Sequence, residues 1–179
     1  MLFSNQIYLN YAVTLAVYQV LKMYNLPQLA VKWPNDILSE KKKISGVLLE
    51  TVLKKKYLDT VVIGVGVNVN QEIFPKDLLT VTSIKNATDK FVNLDELLGV
   101  FIKKLKENIR LFENERFTFL EQKYLNVLYK KNIPTMFKTS KNVLFMGIII
   151  GVATSGKLQI QLEDDSIKEF GIKEVSFAN

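Results

Sequence analysis

The sequence contains neither cysteine nor histidine among its 179 residues. Without cysteine there is no disulfide framework, and nothing indicates an oxidising compartment. The lack of histidine excludes Ser-His-Asp and Cys-His catalysis, and it excludes zinc held by histidine. Any chemistry must therefore use lysine, arginine, carboxylates, amides or a bound cation.

Long apolar runs are also lacking. Apolar residues make up 48% of the chain, but no run approaches the roughly 18 residues expected of a membrane-spanning helix. The apolar N-terminal stretch has no basic start and is interrupted by Asn5, Gln6 and Asn10, so it does not resemble a signal peptide. A cytoplasmic protein without membrane association is expected, with one good core and room for a small second domain.

Arginine is scarce, since Arg110 and Arg116 are the only two, although the net charge is +6. Arginine is the favoured residue for bases and phosphates, and the lysines are dispersed in short runs. Solvated turns explain these runs better than a specific nucleic-acid site does. Steering of an acidic protein partner is a weaker alternative.

Apolar spacing predicts a mixed α/β order in the first part of the chain. Helices are expected over residues 6–24, 94–112 and 117–128, the second starting at a capping-box-like Asn93 with Glu96. Strands are expected over residues 29–33, 37–39, 42–53 and 57–70. The last two should form an antiparallel pair at the centre of a sheet, and residues 74–93 read as turns.

After residue 131 the chain changes to short strand candidates separated by turns. They cover residues 134–138, 143–153, 157–162, 166–170 and 173–177, and their close spacing suggests a small β-barrel. The predicted fold class is therefore α/β (α+β): a mixed, largely antiparallel β-sheet packed with helices over residues 1–131, followed by a small β-barrel domain over residues 132–179.

The segment KWPND at residues 32–36 places a lysine at the end of a strand. Lys32 could reach into a cleft, although a surface lysine at a sheet edge fits the pattern equally well. Trp33 is expected to anchor the core, while Asn35 and Asp36 most simply close the turn through side-chain-to-backbone hydrogen bonds. Asp36 is also a weak candidate for a magnesium ligand.

The segment VVIGVGVNVN at residues 61–70 alternates between β-branched residues and a second set comprising Gly64, Gly66, Asn68 and Asn70. Glycine inside a strand usually marks a bulge or the close approach of a ligand or another backbone. Tight packing against a helix is the structural alternative. Two glycines followed by an amide on the same face favour a ligand floor.

Three segments, in this order and spacing, resemble the catalytic domain of biotin protein ligases. They are KWPNDIL at residues 32–38, KKISGVLLE at residues 42–50 and VIGVGVNVN at residues 62–70. The C-terminal IIIGVATSGKLQIQ at residues 148–161, with KEFG at 168–171 and EVS at 174–176, resembles the terminal Src-homology-3-like β-barrel of that family. The resemblance spans essentially the whole chain.

The resemblance implies ATP-dependent ligation of biotin to a lysine of a biotin carboxyl carrier protein, through biotinyl-5′-AMP. The carrier would belong to acetyl-CoA carboxylase or a similar enzyme. Biotin and ATP would be substrates, Mg²⁺ would travel with ATP, and a homodimer through a sheet edge would be a reasonable expectation.

The resemblance also implies roles for individual residues. Lys32 would be the catalytic cation, beside both the biotin carboxylate and the α-phosphate. The other biotin contacts would come from Ile37, Gly46, Gly64 and Gly66, and the ATP or adenylate contacts from Lys32, Asn35 and Asn68.

One departure from the family is the lack of its glycine- and arginine-rich loop (GRGRxGR, then a tryptophan) and of an earlier Ser-Thr-Asn segment, neither of which occurs in the 179 residues. We therefore expect a catalytic domain without its N-terminal part, with impaired activity by itself. A lipoate or octanoate ligase or transferase of the same fold is an alternative, although the tryptophan and proline of KWPND and the terminal barrel favour biotin. A non-catalytic binding module is another.

Overall fold

The structure is a computed structural model that describes residues 5–54, 57–76 and 78–178. Its helices are α1 Gln6–Lys22, α2 Ile84–Thr88, α3 Leu94–Glu113 and α4 Phe117–Asn126. Its strands are β1 Ala30–Lys32, β2 Asp36–Ser39, β3 Lys42–Lys54, β4 Tyr57–Val67, β5 Pro134–Thr139, β6 Leu144–Val152, β7 Leu158–Leu162, β8 Ile167–Phe170 and β9 Val175–Phe177. The chain divides into two compact units, Met1–Val127 and Leu128–Asn179, slightly before the predicted boundary at 131.

The first unit contains a four-stranded sheet in the order β1-β2-β3-β4. Every neighbouring pair is antiparallel, as expected for strands joined by short turns. Only β3 of the expected central pair has a strand on both sides, because β4 is the last strand of the sheet in the part of the chain that the structure describes. The mixed α/β class with antiparallel pairing is confirmed.

Helix α1 is buried on most sides, as its narrow polar seam predicts. Ala12, Val13 and Ala16 are fully buried. The helix ends at Lys22 rather than at 24, because the following turn leads to Asn25 with a left-handed φ of 53°. Within the described residues, no helix is both long and apolar enough to cross a bilayer.

Helix α3 begins where the cap predicts. The side-chain oxygen of Asn93 accepts hydrogen bonds from the backbone N–H groups of Asp95 (2.9 Å) and Glu96 (3.2 Å), which satisfies two donors that the first turn leaves unpaired. The apolar stripe is only partly covered: Phe112 is buried, whereas Leu98 remains 54% exposed.

Strand β4 ends at Val67, three residues before the predicted end at 70. The carbonyls of Asn68 and Val69 accept hydrogen bonds from the N–H groups of Ile84 and Lys85, at 3.1 and 2.9 Å. These bonds draw the chain away from the sheet and towards α2, a short helix inside the segment predicted as turns. Ser83 caps it by accepting from Asn86 N at 3.0 Å.

The second unit is a five-stranded antiparallel sheet in the order β8-β7-β6-β5-β9. Its core is apolar and partly aromatic, with Phe137, Ile149 and Ile160 all at most 1% exposed. The rings of Phe137 and Phe145 stack at 5.6 Å. The strand positions match the five candidates closely, whereas closure into a Src-homology-3-like barrel stays a prediction.

Candidate functional site

The register of the four-stranded sheet aligns residues from three separate sequence motifs in one row. Lys32 pairs with Asp36, Asp36 with Gly46, and Gly46 with Gly66. Residues directly opposite each other on neighbouring strands share a face of the sheet. This ligand row therefore crosses all four strands on one face, here called the glycine face.

A β-bulge adds a further lysine to the glycine face. Ile37 pairs with Ser45 but Leu38 pairs with Lys43, so Ile44 is an extra residue in β3. Such an insertion reverses the alternation beyond it and re-aims the side chains. Lys43, which plain alternation from Gly46 would turn to the opposite face, now shares the face of Asp36.

Lys43 forms an ion pair with Asp36. The distance from its Nζ to Oδ1 of Asp36 is 2.6 Å, and the two side chains are 46% and 28% exposed. Lys43 was not among the predicted site residues, because the bulge is invisible in the alternation of β3. Asp36 makes this contact to β3, whereas the sequence suggested that it would close its own turn.

A cavity of about 740 Å³ lies over the glycine face. Six of the predicted site residues line it: Asn35, Asp36, Gly46, Gly64, Gly66 and Asn68. Phe74, Leu78 and Val81 contribute apolar walls. These three were missed because they lie in the segment that the sequence assigned to turns.

The glycines leave the floor of this cavity open. A Cβ atom placed on Gly66 would have no atom within 4 Å, and one on Gly64 would lie 3.6 Å from Cβ of Leu48. One placed on Gly46 would lie 3.1 Å from Nζ of Lys43 and 3.2 Å from Oδ1 of Asp36. Tight helix packing, the alternative explanation, is wrong for Gly66. Gly46, in contrast, leaves room for the ion pair.

Lys32 and Ile37 are not among the residues that line this cavity. Lys32 is half-buried on the glycine face, at the β1 end of the ligand row. Ile37 is fully buried, and its pairing with Ser45 places it on the opposite face. Ile37 therefore packs in the core, and its position does not support the apolar ligand contact expected of it.

The turn between β1 and β2 is held from both sides. The carbonyl oxygen of Pro34 accepts hydrogen bonds from Nδ2 of Asn10 (3.1 Å) and from the hydroxyl of Tyr124 (3.0 Å). The Asn35 side chain donates to the Val47 carbonyl, and the Asn35 main-chain carbonyl accepts from Val47 N–H at 3.0 Å. Helices α1 and α4 together with β3 thus fix the segment that carries Lys32 and Asp36.

The hydroxyl of Tyr124 remains a protonated donor in this turn. Tyr124 is fully buried and stacks on Tyr11 with ring centroids 4.2 Å apart. Burial, assisted by the neighbouring Tyr11, raises the pKa of Tyr124 well above its usual range. Neither the sequence pattern nor the family resemblance indicated this contact, because Tyr124 lies ninety positions from Pro34.

Asn68 lies at the far wall of the cavity and is already engaged with the backbone. Its Nδ2 donates to the Thr82 carbonyl at 3.0 Å, and its main-chain N–H donates to the Ile44 carbonyl at 2.9 Å. These bonds fix the side chain at the cavity surface, and a role in contacting an adenylate stays a prediction.

Metal binding was considered for the part of the chain that the structure describes. Among the described residues, no three Asp, Glu, His or Cys side chains come together in a way that could hold an ion. The carboxylate of Asp36 is paired with Lys43. Asp36 therefore gives no support to a protein-held magnesium.

The glycine face changes character along its length. Asp36 and Lys43 make it charged at one end, and the glycines leave it bare in the middle. Leu48 and Val62, which are 57% and 56% exposed, make it apolar towards the other end. Such a surface suits an elongated ligand that carries an anionic group at one end and an apolar group at the other.

Sequence comparison places the chain among known proteins. The Biotin/lipoate A/B protein ligase family matches residues 2–68. The chain is 29% identical over 156 residues to the bifunctional ligase/repressor BirA of Bacillus spizizenii, covering 85% of this chain and 46% of that protein. It is 33% identical over 125 residues to biotin–protein ligase 2 of Arabidopsis thaliana, covering 65% of this chain and 37% of that one. The chain thus spans less than half the length of these two relatives.

A solved structure agrees with the sequence comparison. The biotin protein ligase of Aquifex aeolicus, in complex with biotin and ATP, superposes with a TM-score of 0.76 at 27% identity. The match covers 97% of this chain and 72% of that one. The similarity therefore extends over the fold as well as the motifs.

Proposed function

We propose that this chain serves in the ATP-dependent ligation of biotin to a lysine of a biotin carboxyl carrier protein, a function that the match of residues 2–68 to the Biotin/lipoate A/B protein ligase family supports. The ligand row carries this proposal. It brings Lys32, Gly46 and Gly66, each from a different motif, onto one face of the sheet. The Aquifex aeolicus relative, which has been solved with biotin and ATP, supports the choice of substrates.

The reaction has two steps, an adenylyl transfer followed by an acyl transfer. A carboxylate oxygen of biotin attacks the α-phosphorus of ATP, and pyrophosphate leaves, giving biotinyl-5′-AMP. The amine of the carrier lysine then attacks the acyl carbon, AMP leaves, and the amine gives up its proton as the amide forms.

Lys32 has the chemistry to assist the first step. Negative charge grows on the phosphate oxygens as the carboxylate attacks, and a fixed cation stabilises that charge most where water is excluded. The two hydrogen bonds that the Pro34 carbonyl accepts fix the turn that follows Lys32. Pre-organisation of this kind avoids reorganisation during the reaction.

The cavity supplies the binding surface. Gly64 and Gly66 let a ligand lie directly on the strand, and Phe74 and Leu78 offer apolar contact. Asn35 and Asn68 are the proposed contacts for the adenylate. Mg²⁺ is proposed to enter the reaction together with ATP.

The carrier is proposed to be that of acetyl-CoA carboxylase or a similar enzyme, in the cytoplasm. A homodimer through a sheet edge is part of the same proposal, and the last strand, β4, offers such an edge in the described part of the sheet. The small second unit is proposed to be the Src-homology-3-like barrel of the family.

Lipoate is the competing substrate, because the matched family includes lipoate ligases. Biotin is favoured by the relatives, which include biotin–protein ligases of Arabidopsis thaliana and Aquifex aeolicus. Calorimetric titration of the chain with biotin and with lipoate separates the two. Tighter binding of lipoate would reverse the assignment.

Biotin-dependent exchange of labelled pyrophosphate into ATP tests the adenylation step. The GRGRxGR loop does not occur in the 179 residues, so we expect weak exchange by them alone and strong exchange by a longer chain that includes such a loop. Strong exchange by the 179 residues would show that the loop is dispensable. No exchange by either chain would contradict the proposed function.

A further inference from the structure

The end of helix α4 contacts the segment around Lys32 at two points. The carbonyl of Val127 accepts a hydrogen bond from the N–H of Val31 at 2.8 Å, and the hydroxyl of Tyr124 donates to the Pro34 carbonyl at 3.0 Å. These contacts lie on either side of Lys32 in the chain. We propose that Tyr124 is a positioning residue of the adenylation step, which keeps Lys32 in place through the Pro34 carbonyl. This proposal rests on the proposed function for the reaction that Lys32 assists.

Strand β1, which ends at Lys32, has few contacts within its own sheet. It is three residues long, and in the described part of the sheet it pairs only with β2. An edge strand presents unpaired N–H and C=O groups along its outer side. The Val127 carbonyl takes up one of these groups, the N–H of Val31. Helix α4 therefore supplies part of the order that the sheet itself does not give to β1.

Core packing fixes the direction of the Tyr124 hydroxyl. The side chain is fully buried, and its ring stacks on that of Tyr11 with centroids 4.2 Å apart. A side chain whose rotamer is set by packing brings its polar group to one place. Nδ2 of Asn10 donates to the same Pro34 carbonyl at 3.1 Å. A carbonyl oxygen has two lone pairs, so these two donors satisfy the Pro34 carbonyl fully.

The reaction is sensitive to the position of Lys32. A cation stabilises the charge that grows on the phosphate only if it already lies where that charge develops. Misplacement by about 1 Å can cost a reaction about 100-fold in rate. Tyr124 is not among the described residues that line the cavity. Its effect on the reaction should therefore pass through the turn that follows Lys32.

A double-mutant cycle tests whether Tyr124 acts through Lys32. Tyr124→Phe, Lys32→Ala and the combined variant are compared by biotin-dependent pyrophosphate exchange, in a chain that shows this activity. We expect Tyr124→Phe to lower kcat by about 3- to 10-fold and to change KM for biotin and for ATP by less than about twofold. In the Lys32→Ala background, the same substitution should have no further effect on kcat, because the displaced cation is already gone.

Tyr18→Phe is the matched control. Tyr18 is a half-buried tyrosine of α1, and loss of its hydroxyl should leave kcat and both KM values unchanged. If Tyr124→Phe lowers kcat by the same factor with and without Lys32, or does not lower it at all, the role of Tyr124 is overturned and the proposed function still stands. Rates are compared well below the thermal unfolding midpoint of each variant, so that loss of folded protein does not contribute.

Hydrogen exchange gives a readout that does not depend on activity. In Tyr124→Phe, the backbone amides of residues 31–36 (Pro34 has none) should exchange at least about fivefold faster than in the wild type, while those of β7 stay unchanged. If no chain exchanges pyrophosphate, the proposed function fails, and faster exchange here would still support the positioning of the Lys32 segment by Tyr124. Unchanged exchange at residues 31–36 would overturn it.

Discussion

Two adjacent rows of the four-stranded sheet, one residue apart on every strand, have opposite character. The core row consists of Val31, Ile37, Ser45 and Val67, paired in that order across the four strands. Its first two members are fully buried, and Ser45, which is 3% exposed, donates its hydroxyl to the Gly66 carbonyl at 2.7 Å. The ligand row holds Lys32, Asp36, Gly46 and Gly66, and the last three of these line the cavity.

The difference indicates that one face of these strands contributes to the stability of the fold and the opposite face to ligand binding. The pleat sends successive side chains to opposite faces, so a shift of one position exchanges a residue of the core face for a residue of the glycine face. Substitutions in the core and beneath it should change the free energy of unfolding, whereas substitutions on the glycine face should change ligand affinity. Four predictions test this division.

The largest expected effect is on the free energy of unfolding and concerns a buried leucine next to the core face. Leu21 of α1 is fully buried and borders a gap of about 190 Å³ together with Val65 and Val67 of β4. Leu21→Ala should lower the free energy of unfolding by about 2–5 kcal/mol, since it enlarges a space that cannot collapse fully. Urea unfolding measures this. Leu94→Ala, at a leucine that is 58% exposed, should change it by less than about 0.5 kcal/mol. Equal effects of the two substitutions on the free energy of unfolding would contradict the assignment of the core face to stability.

The next largest effect is expected on the reaction rate, from a substitution of Lys32 in the ligand row. In a chain that shows biotin-dependent pyrophosphate exchange, Lys32→Ala should reduce the exchange rate by about 100- to 1,000-fold, because the charge on the phosphate loses its cation. The midpoint of thermal unfolding should change little. Lys42→Ala is the matched control and should react normally. A Lys32→Ala variant that unfolds, or that keeps its full rate, would refute the assigned role.

A matched pair of glycines sharpens the comparison. Gly66→Ala adds a methyl group where no atom lies within 4 Å, so folding should be unaffected while biotin affinity falls by about tenfold through contact with the ligand. Gly147→Ala in β6 would place its Cβ 2.5 Å from Cγ2 of Ile160. It should cost about 1–3 kcal/mol of stability through overpacking and leave biotin affinity unchanged. Calorimetry and urea unfolding of both variants check the contrast, and a reversed pattern would refute it.

The smallest effect concerns the hydrogen bonds to the Pro34 carbonyl. Tyr124→Phe removes one of two donors to the Pro34 carbonyl and should cost about 1 kcal/mol at neutral pH. Burial raises the pKa of Tyr124 above the ordinary value of 10.0. Below that value the phenol is neutral in both the folded and unfolded states. Above it the unfolded state ionises first, so stability falls as the pH rises.

The pH dependence gives a separate readout for the same variant. Tyr124→Phe should lessen the loss of stability between neutral pH and about pH 11, since it removes a group that ionises only on unfolding. Urea unfolding at the two pH values measures the change. If the variant loses as much stability between the two pH values as the wild type does, Tyr124 does not contribute to that loss.

Much of the fold follows from local patterns. The cap at Asn93, the buried seam of α1 and the strand positions were predictable, because each depends on residues a few positions apart. The later half of 74–93 was harder: α2 depends on a cap by Ser83 and on bonds from Ile84 and Lys85 back to the end of β4. Those bonds join residues about sixteen positions apart, and a separation of that size cannot be recognised from the spacing of neighbouring apolar residues.

The sequence alone determined which residues of β1 and β4 share a face, because side chains alternate strictly along a strand. It therefore identified Lys32, Gly64, Gly66 and Asn68 as site candidates, and the motifs added Gly46. Only the tertiary structure decided how the strands pair, where β3 bulges, and which residues complete the cavity. It turned Lys43 onto the glycine face, placed Ile37 in the core and brought Tyr124 to Pro34. The physical reason is that register and bulges are set by hydrogen bonds between strands, whereas alternation is a property of one strand.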